Sequence, residues 1–392
     1  MRQIEIYDLE TLSNLFTYTG YNCNTKTWYQ FVISSWRNDF EELINHLKTD
    51  IVQVGFNNEN FDYPIVHHLL NHQEEYHYKT GQEIAQKLYD KSQELISNQF
   101  NTIADKNKYI QQIDLFKIWH YDNKARKTSL KDLEFAMQME NVEEMPIHHT
   151  TWCKRGDEEL VLEYNKNDVE ATYKFFLTTL GRTDYPLYKG KNKLELRENL
   201  QKKFGINCIN LPDVRMGEQL MLNLYSKAVK KNPFDIKKLR TERTEIKLKD
   251  CIPSWCSMRS NIFKSFLDTI EETTIPIPVP KDSFEYSVIY NGYKWYFGLG
   301  GSHGCCEPGI YNSDDEFVII DYDVGSLYPS VAKSLKLYPE HLGPEFMELY
   351  EKFINDRLTE KHKPKDQQDK VLIEGYKLIL NGEFIILNTE II

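Results

Sequence analysis

Short apolar stretches alternate with amphipathic stretches over the first 180 residues or so. The strand-like stretches are residues 2–7, with an end at Asp8, residues 25–36, residues 51–56 and the start of 110–119. Helical spacing of apolar side chains is found at 40–48, at 129–139 and, most clearly, at 158–180. This alternation of strands and helices predicts an α/β domain over residues 1–182.

The pattern changes after GRTDYPLYKGK (181–191), which reads as a domain boundary. A helical, basic connector is predicted over 183–282, and its proline-rich end, TTIPIPVPKD, should be stiff and extended. Residues 283–345 then predict a smaller α+β domain, with strands in SVIYNGYKWYFG, a glycine-rich turn at GLGGSHG and a strand at FVII. Two helices are predicted for residues 346–392.

The formal net charge of -11 argues weakly against a nucleic-acid partner. Residues 189–249, however, contain KGKNK, KAVKK and KKLRTERTEIKLK, which form a locally basic tract. That tract is either the solvated side of surface helices or a surface that follows phosphates.

The seven cysteines form no Cys-x2-Cys pair, which suggests free thiols in a reducing compartment. No stretch reaches the ~20 apolar residues of a membrane span, and the N-terminus lacks the pattern of a signal peptide. We therefore expect no membrane association and a cytoplasmic location, which would be the host cytoplasm for a phage protein.

Acidic side chains recur at the ends of the predicted elements of the first domain. Asp8 and Glu10 are two residues apart, so on a strand both would point to the same side. Asp62 follows the 51–56 strand, and Tyr164 and Asp168 are neighbours on one face of the long helix. Several carboxylates around two divalent cations are what phosphodiester hydrolysis requires, and a tyrosine hydroxyl can orient the attacking water.

Each of these signals alone is common in a chain with 59 acidic residues, but their order and placement together are specific. The stretches DLET, NNENFD and YNKND resemble the three motifs of the 3′–5′ proofreading exonuclease domain of family B DNA polymerases. That domain has an RNase H-like fold and, with a tyrosine four residues before the last aspartate, belongs to the DEDDy type. The resemblance implies four metal ligands, one water-positioning residue and two contacts to the primer end: Asp8, Glu10, Asp62 and Asp168; Tyr164; Asn58 and Phe61. Asp114 stays open between a further acidic member of the site and an ordinary surface residue at a strand end.

The stretch DYDVGSLYPS (321–330) resembles motif A of the polymerase palm of the same family, of the phage or viral type. The resemblance implies that Asp323 binds a metal ion at the end of a strand and that the SLYP turn faces the triphosphate. It also implies that Tyr328 is the steric gate against a ribose 2′-hydroxyl.

GYKLILNGEF (375–384) resembles motif B on a fingers helix, which implies that Lys377 meets the incoming dNTP and that Asn381 flanks the nascent base pair. Phe384 and Ile385 stand where that motif has tyrosine and glycine, and no Asp-x-Asp hairpin of motif C follows. We therefore expect the N-terminal portion of a DNA polymerase, with a complete exonuclease and an incomplete polymerase site. Two alternatives remain: a subunit that acts with a separate C-terminal chain carrying motif C, and a stand-alone exonuclease with an inactive palm remnant.

The implied cofactor is Mg²⁺ in two-metal sites, with Mn²⁺ as an alternative. The implied partners are a DNA primer–template, single-stranded DNA and dNTPs.

Overall fold

The structure is a computed structural model, and the chain forms two compact units, Met1–Arg215 and Met216–Ile392. It describes residues 2–98, 101–123, 127–142, 144–148, 150–279, 284–299, 301–324 and 326–390, the last eight of these by their backbone only. The first unit extends beyond the predicted boundary at residue 182.

The first unit is built on a mixed five-stranded sheet. Its strands are β1 (Gln3–Leu12), β2 (Leu15–Asn22), β3 (Thr27–Ser34), β4 (Ile51–Gly55) and β5 (Gln111–Asp114). Their order is β3-β2-β1-β4-β5, in which β1, β2 and β3 are antiparallel while β4 and β5 run parallel to β1. The predicted α/β class is therefore confirmed.

In the described part of the first unit, eight α-helices surround or follow this sheet. They are α1 (Phe40–Leu47), α2 (Asp62–Asn71), α3 (Gln73–Tyr76), α4 (Gly81–Ser97), α5 (Leu115–Ile118), α6 (Leu130–Ala136), α7 (Glu158–Thr179) and α8 (Lys193–Phe204). The helices predicted at 40–48, 129–139 and 158–180 are present as α1, α6 and α7.

The alternation of side chains along β1 separates the two faces of the sheet. Tyr7 and Leu9 belong to a core shared with α1, α2 and α4. Ile6 and Leu12 belong instead to cores that contain residues of α7. Because even-numbered positions of β1 share a face, Asp8 and Glu10 lie on the α7 side of the sheet.

The sequence prediction was wrong about the end of β1 and missed β2. β1 does not end at Asp8 but continues to Leu12, and β2 pairs with it along the whole Leu15–Asn22 length. β2 lies in the interior of the sheet between β1 and β3, and seven of its eight residues are buried. A strand covered on both faces shows no apolar–polar alternation, so its period gives no signal.

The second unit contains the remaining helices and two small antiparallel sheets. Its helices are α9 (Asp213–Val229, which begins in the first unit), α10 (Pro233–Ile236), α11 (Asn261–Glu272), α12 (Leu327–Leu335), α13 (Pro344–Lys361) and α14 (Lys370–Glu390). Its strands are β6 (Glu245–Lys247) paired with β7 (Thr274–Pro276), and β8 (Glu285–Tyr290), β9 (Tyr293–Gly298) and β10 (Gly301–Cys305) in the order β10-β9-β8. Helices α13 and α14 lie where the two C-terminal helices were predicted. The predicted connector, 183–282, is divided between the two units, and its domain bounds stay a prediction.

Two predictions for this unit were wrong. Residues 301–305 of the glycine-rich stretch form strand β10 rather than a turn, because they pair with β9. Residues 317–324 form no strand, and the side chains of Phe317, Val318 and Ile320 are exposed. An apolar run becomes a strand only when a neighbouring strand takes up its backbone hydrogen bonds, and no described strand lies against this one.

Among the described residues, no helix combines the length and the apolar character that crossing a membrane requires.

Candidate metal centre

Three carboxylates of the first unit converge between β1 and α7. Asp8 and Glu10 project from the same face of β1, and Asp168 projects from α7, which packs on that face. One ligand oxygen from each of these side chains lies within 4.8 Å of the other two. Asp8 and Glu10 share a face of β1 because they are two residues apart, and α7 packs on that face. A compact acidic cluster thus forms from positions about 160 residues apart in the chain.

Helix α7 contributes three buried side chains to the surroundings of this cluster. Tyr164, Asn165 and Asp168 are all buried. Asp168 follows Tyr164 by four residues and Asn165 by three, so it neighbours both on the helix surface. Asn165 donates from Nδ2 to Oδ2 of Asp8 at 2.6 Å, and Thr17 of β2 donates to Oδ1 of Asn165 at 3.3 Å. Asn165 therefore fixes the orientation of the Asp8 carboxylate.

Asp62 lies close to this cluster but is not one of its three converging ligands. It is the first residue of α2 and is buried. Its negative charge nevertheless raises the pKa of Asp8 and of Glu10, so the four predicted ligands share one electrostatic environment. Three of the four predicted ligands therefore converge, and Asp62 lies near them without joining the group.

Burial and mutual repulsion raise the pKa values of these carboxyl groups. Burial is the largest cause for Asp8, Glu10 and Asp62, and the neighbouring carboxylates add to it. The pKa of Asp62 rises to about 8, while those of Asp8 and Glu10 rise well above their ordinary values. The hydrogen bond from Asn165 opposes the rise in the pKa of Asp8, and the charge of Lys131 opposes that of Glu10.

A divalent cation fits this set of side chains. The donors are carboxylate oxygens only, which suits hard cations such as Mg²⁺ and Mn²⁺. Crowded carboxylates repel each other in the absence of positive charge, and this repulsion adds to burial in raising the pKa values of Asp8 and Glu10. Asp8, Glu10 and Asp168 could therefore hold a metal ion.

The Tyr164 hydroxyl is protonated at neutral pH. Burial, followed by the charges of Asp168, Glu10 and Asp8, raises its pKa well above 10, and a hydrogen bond to Asp168 acts in the same direction. Tyr164 can therefore orient a water molecule as a neutral hydroxyl group, but it cannot act as a general base.

Asp114 is buried and holds the loop that leads to Asp62. Its carboxylate accepts hydrogen bonds from the backbone N–H groups of Asn57 and Glu59, both at 3.1 Å. It also accepts from the backbone N–H of Phe116 at the start of α5. Burial raises the pKa of Asp114 to about 6, and the nearby Lys117 opposes that rise. Asp114 is thus neither a surface residue nor one of the three converging ligands.

The two predicted primer contacts differ in their exposure. Asn58 is fully buried, and its Nδ2 donates to Oε1 of Gln112 at 2.8 Å. In this conformation Asn58 cannot reach a DNA strand, so the predicted contact lacks support. Phe61 is partly exposed at the N-terminus of α2, directly before Asp62, where a DNA end could contact it.

The predicted polymerase residues lie in the second unit. Asp323 is exposed in the segment without secondary structure, and Tyr328 is exposed in the first turn of α12. The SLYP stretch begins this helix rather than forming a free turn. Lys377 and Asn381 are exposed on α14, and Lys377 lies 3.4 Å from Glu374. Phe384 and Ile385 belong to the part of α14 whose side chains are not described.

Within the described part of the chain, Asp8, Glu10 and Asp168 form the only group of three or more histidine, cysteine or acidic residues close enough to share a metal ion.

Sequence reasoning missed three residues next to the acidic cluster. Asn165 lies within the YNKND stretch, and its position beside Tyr164 was a usable signal. Lys131 of α6 lies against Tyr164 and Asp168, and Glu134 of the same helix lies against Lys131. Only the packing of α6 on α7 reveals these two residues.

No protein-family model matches this chain, and no curated protein matches it either.

Proposed function

We propose that the first unit is a metal-dependent 3′–5′ exonuclease that removes nucleotides from the end of a DNA strand. The observation that carries this proposal is the convergence of Asp8, Glu10 and Asp168 beside Tyr164. The strand order β3-β2-β1-β4-β5, with two strands parallel to β1, is compatible with an RNase H-like fold and supports the same function.

Asp8, Glu10, Asp62 and Asp168 would hold the metal ions. Bound divalent cations lower the pKa of a coordinated water and neutralise the charge that accumulates on the phosphate. Mg²⁺ is the cation that we expect in the cell, with Mn²⁺ as a substitute.

The protein side chains orient the reacting groups. Asn165 directs the Asp8 carboxylate into the site, and Asp168 accepts a hydrogen bond from Tyr164. The protonated Tyr164 hydroxyl is placed to hold the attacking water in line with the phosphate. Phe61 would stack against the terminal base with the exposed part of its ring, because aromatic rings stack on any base without sequence preference.

The direct test is cleavage of a single-stranded oligonucleotide labelled at its 5′ end, in Mg²⁺, followed on a denaturing gel. We expect a ladder of products shortened one nucleotide at a time from the 3′ end. Phosphorothioate linkages at the 3′ end should stop the reaction, whereas the same linkages at the 5′ end should not.

Matched variants separate this site from a contaminating nuclease. Asp8→Asn and Asp168→Asn should each lower the rate at least about a hundredfold. Glu170→Gln changes an exposed carboxylate on the same helix and should cleave normally. Undiminished cleavage by the Asp8 and Asp168 variants would refute the proposal.

DNA polymerase activity is the further proposal from the motifs around Asp323, Tyr328, Lys377 and Asn381, with DNA primer–template and dNTPs as substrates. Asp323 is exposed, and among the described residues it belongs to no group of three acidic side chains that could share a metal ion. The alternative hypothesis is that a separate partner chain supplies the remaining carboxylates of the polymerase site. Primer extension in the presence of dNTPs would test polymerase activity and this alternative.

A further inference from the structure

A lysine lies at the edge of the acidic cluster. Lys131 is in the first turn of α6, and its Nζ lies 4.7 Å from the centre of the Tyr164 ring and 3.9 Å from Oδ1 of Asp168. An ammonium group over a tyrosine face is attracted by the ring, and near a carboxylate it is attracted by the charge. Lys131 therefore lies close to both α7 side chains of the candidate site, Tyr164 and Asp168.

Glu134 places a second carboxylate near this lysine. It lies three residues later on α6, is fully buried, and has its Oε2 3.7 Å from the Lys131 Nζ. A buried carboxylate is costly unless a positive charge compensates it. The contact with Lys131 thus accounts for the presence of an acidic residue at a fully buried position of α6.

The Lys131 ammonium is buried without being locked in place. Among the described residues, no acceptor lies within hydrogen-bond distance of its Nζ, and two carboxylates, those of Glu134 and Asp168, lie slightly farther away. Such a group balances charge over several neighbours rather than completing one specific ion pair.

We propose that Lys131, held by Glu134, is a positioning residue that sets the cation affinity of the acidic cluster and keeps Tyr164 beside Asp168. This inference rests on the proposed function, because it assigns the cluster a metal ion. It adds a pair of residues on α6 that belongs to none of the three sequence motifs.

The pair predicts affinity changes of opposite sign. Replacing Lys131 with methionine removes a positive charge beside the carboxylates, so divalent cations should bind more tightly. Replacing Glu134 with glutamine removes a negative charge and leaves Lys131 closer to Asp168, so the same cations should bind more weakly. A purely structural role for α6 would weaken binding in both variants.

The affinities can be measured directly by titrating the full chain with Mn²⁺ and following free Mn²⁺ by electron paramagnetic resonance. We expect Lys131→Met to bind on the order of tenfold more tightly than the unaltered protein, and Glu134→Gln to bind several times more weakly. Lys131→Arg keeps the charge and should bind as the unaltered protein does.

Lys166→Met is the matched control. Lys166 of α7 also lies over an aromatic ring, that of Trp28, and 3.8 Å from a carboxylate, that of Glu170, but it is exposed. Its replacement should leave Mn²⁺ affinity unchanged, since its charge faces solvent.

A second readout is the cleavage rate at saturating Mg²⁺. Lys131→Met should cleave about tenfold more slowly despite its tighter metal binding, because Tyr164 loses its contact with the ammonium. Equal Mn²⁺ affinities, or shifts in the same direction for Lys131→Met and Glu134→Gln, would overturn the inference.

The two proposals can fail separately. If Mn²⁺ binds in a manner that Asp8→Asn abolishes but DNA is not cleaved, the proposed function fails while the opposite affinity shifts still decide the role of Lys131. If the protein cleaves DNA but the shifts are absent, only the inference fails. If the unaltered protein binds no Mn²⁺, both are wrong.

Discussion

Asn165 donates a hydrogen bond of 2.6 Å to the Asp8 carboxylate, although the two residues are 157 positions apart in the chain. The bond joins the middle of α7 to the middle of β1, the two elements that carry the three converging carboxylates. A neutral amide in this place orients a candidate metal ligand without adding charge, as residues that surround metal sites commonly do.

Replacing Asn165 with alanine should therefore weaken the proposed exonuclease activity without abolishing it. Loss of a residue that orients a ligand typically costs about 10- to 100-fold in metal affinity or activity. Initial cleavage rates over a range of Mg²⁺ concentrations would measure both effects. Lys166→Ala, on the exposed side of the same helix, is the control, and equal rates for the two variants would contradict the role given to Asn165.

Tyr164→Phe removes only the hydroxyl group that we assign to water positioning. The aromatic ring, its packing and its contact with Lys131 remain, so Mn²⁺ affinity should stay within about twofold while cleavage slows by about 10²-fold. Stopped-flow cleavage and Mn²⁺ titration of the same preparation would compare the two quantities. A parallel loss of metal binding would instead mean that the hydroxyl group holds the carboxylates.

The raised pKa of Asp62 makes the stability of the metal-free protein depend on pH. The pKa is about 8 in the folded protein and near 3.8 when the residue is unperturbed, so between these values the folded state holds a proton that the unfolded state has lost. The free energy of unfolding should therefore fall as pH rises through this window.

Asp62→Asn should remove that contribution. In EDTA, the variant should be more stable than the unaltered protein at pH 8, by at least about 1 kcal/mol or 2–4 °C in Tm, and the difference should shrink towards pH 5. Glu170→Gln serves as the control for an exposed carboxylate. A stability difference that is constant from pH 5 to pH 8 would show that Asp62 ionises normally.

Asp114 should prove important for the loop that precedes Asp62. Asp114→Ala leaves the backbone N–H groups of Asn57 and Glu59 without their acceptor, which should lower the free energy of unfolding by about 3 kcal/mol. Urea unfolding would measure the loss, and hydrogen exchange should become faster at residues 57–60. If exchange there is unchanged, the carboxylate does not hold the loop.

The exposed segment at 317–320 predicts unusual tolerance to charge. Val318→Asp and Ile320→Asp should each change the stability by no more than about 0.5 kcal/mol, as is usual for surface positions. Ile379→Asp, at a fully buried position of α14, should destabilise the protein strongly. Strong destabilisation by the first two variants would mean that these residues are part of a sheet after all.

The local features of the site could be read from the sequence. The spacing of two between Asp8 and Glu10 places them on one side of any strand, and the spacing of four between Tyr164 and Asp168 places them on one face of any helix. Both patterns depend only on the backbone geometry of a strand or a helix. The predicted positions of these side chains therefore hold although β1 is longer than predicted. The helices α1, α6 and α7 were predicted for the same reason.

The tertiary structure alone decided what lies between these elements. β2 gave no periodic signal because both of its faces are covered. The Asn58 side chain makes a buried hydrogen bond to Gln112, which its position in the motif does not reveal. Residues 317–320 have the composition of a strand but no neighbour to pair with. Lys131 and Glu134 lie near the site because α6 packs on α7. That contact joins distant parts of the chain, so no local pattern encodes it.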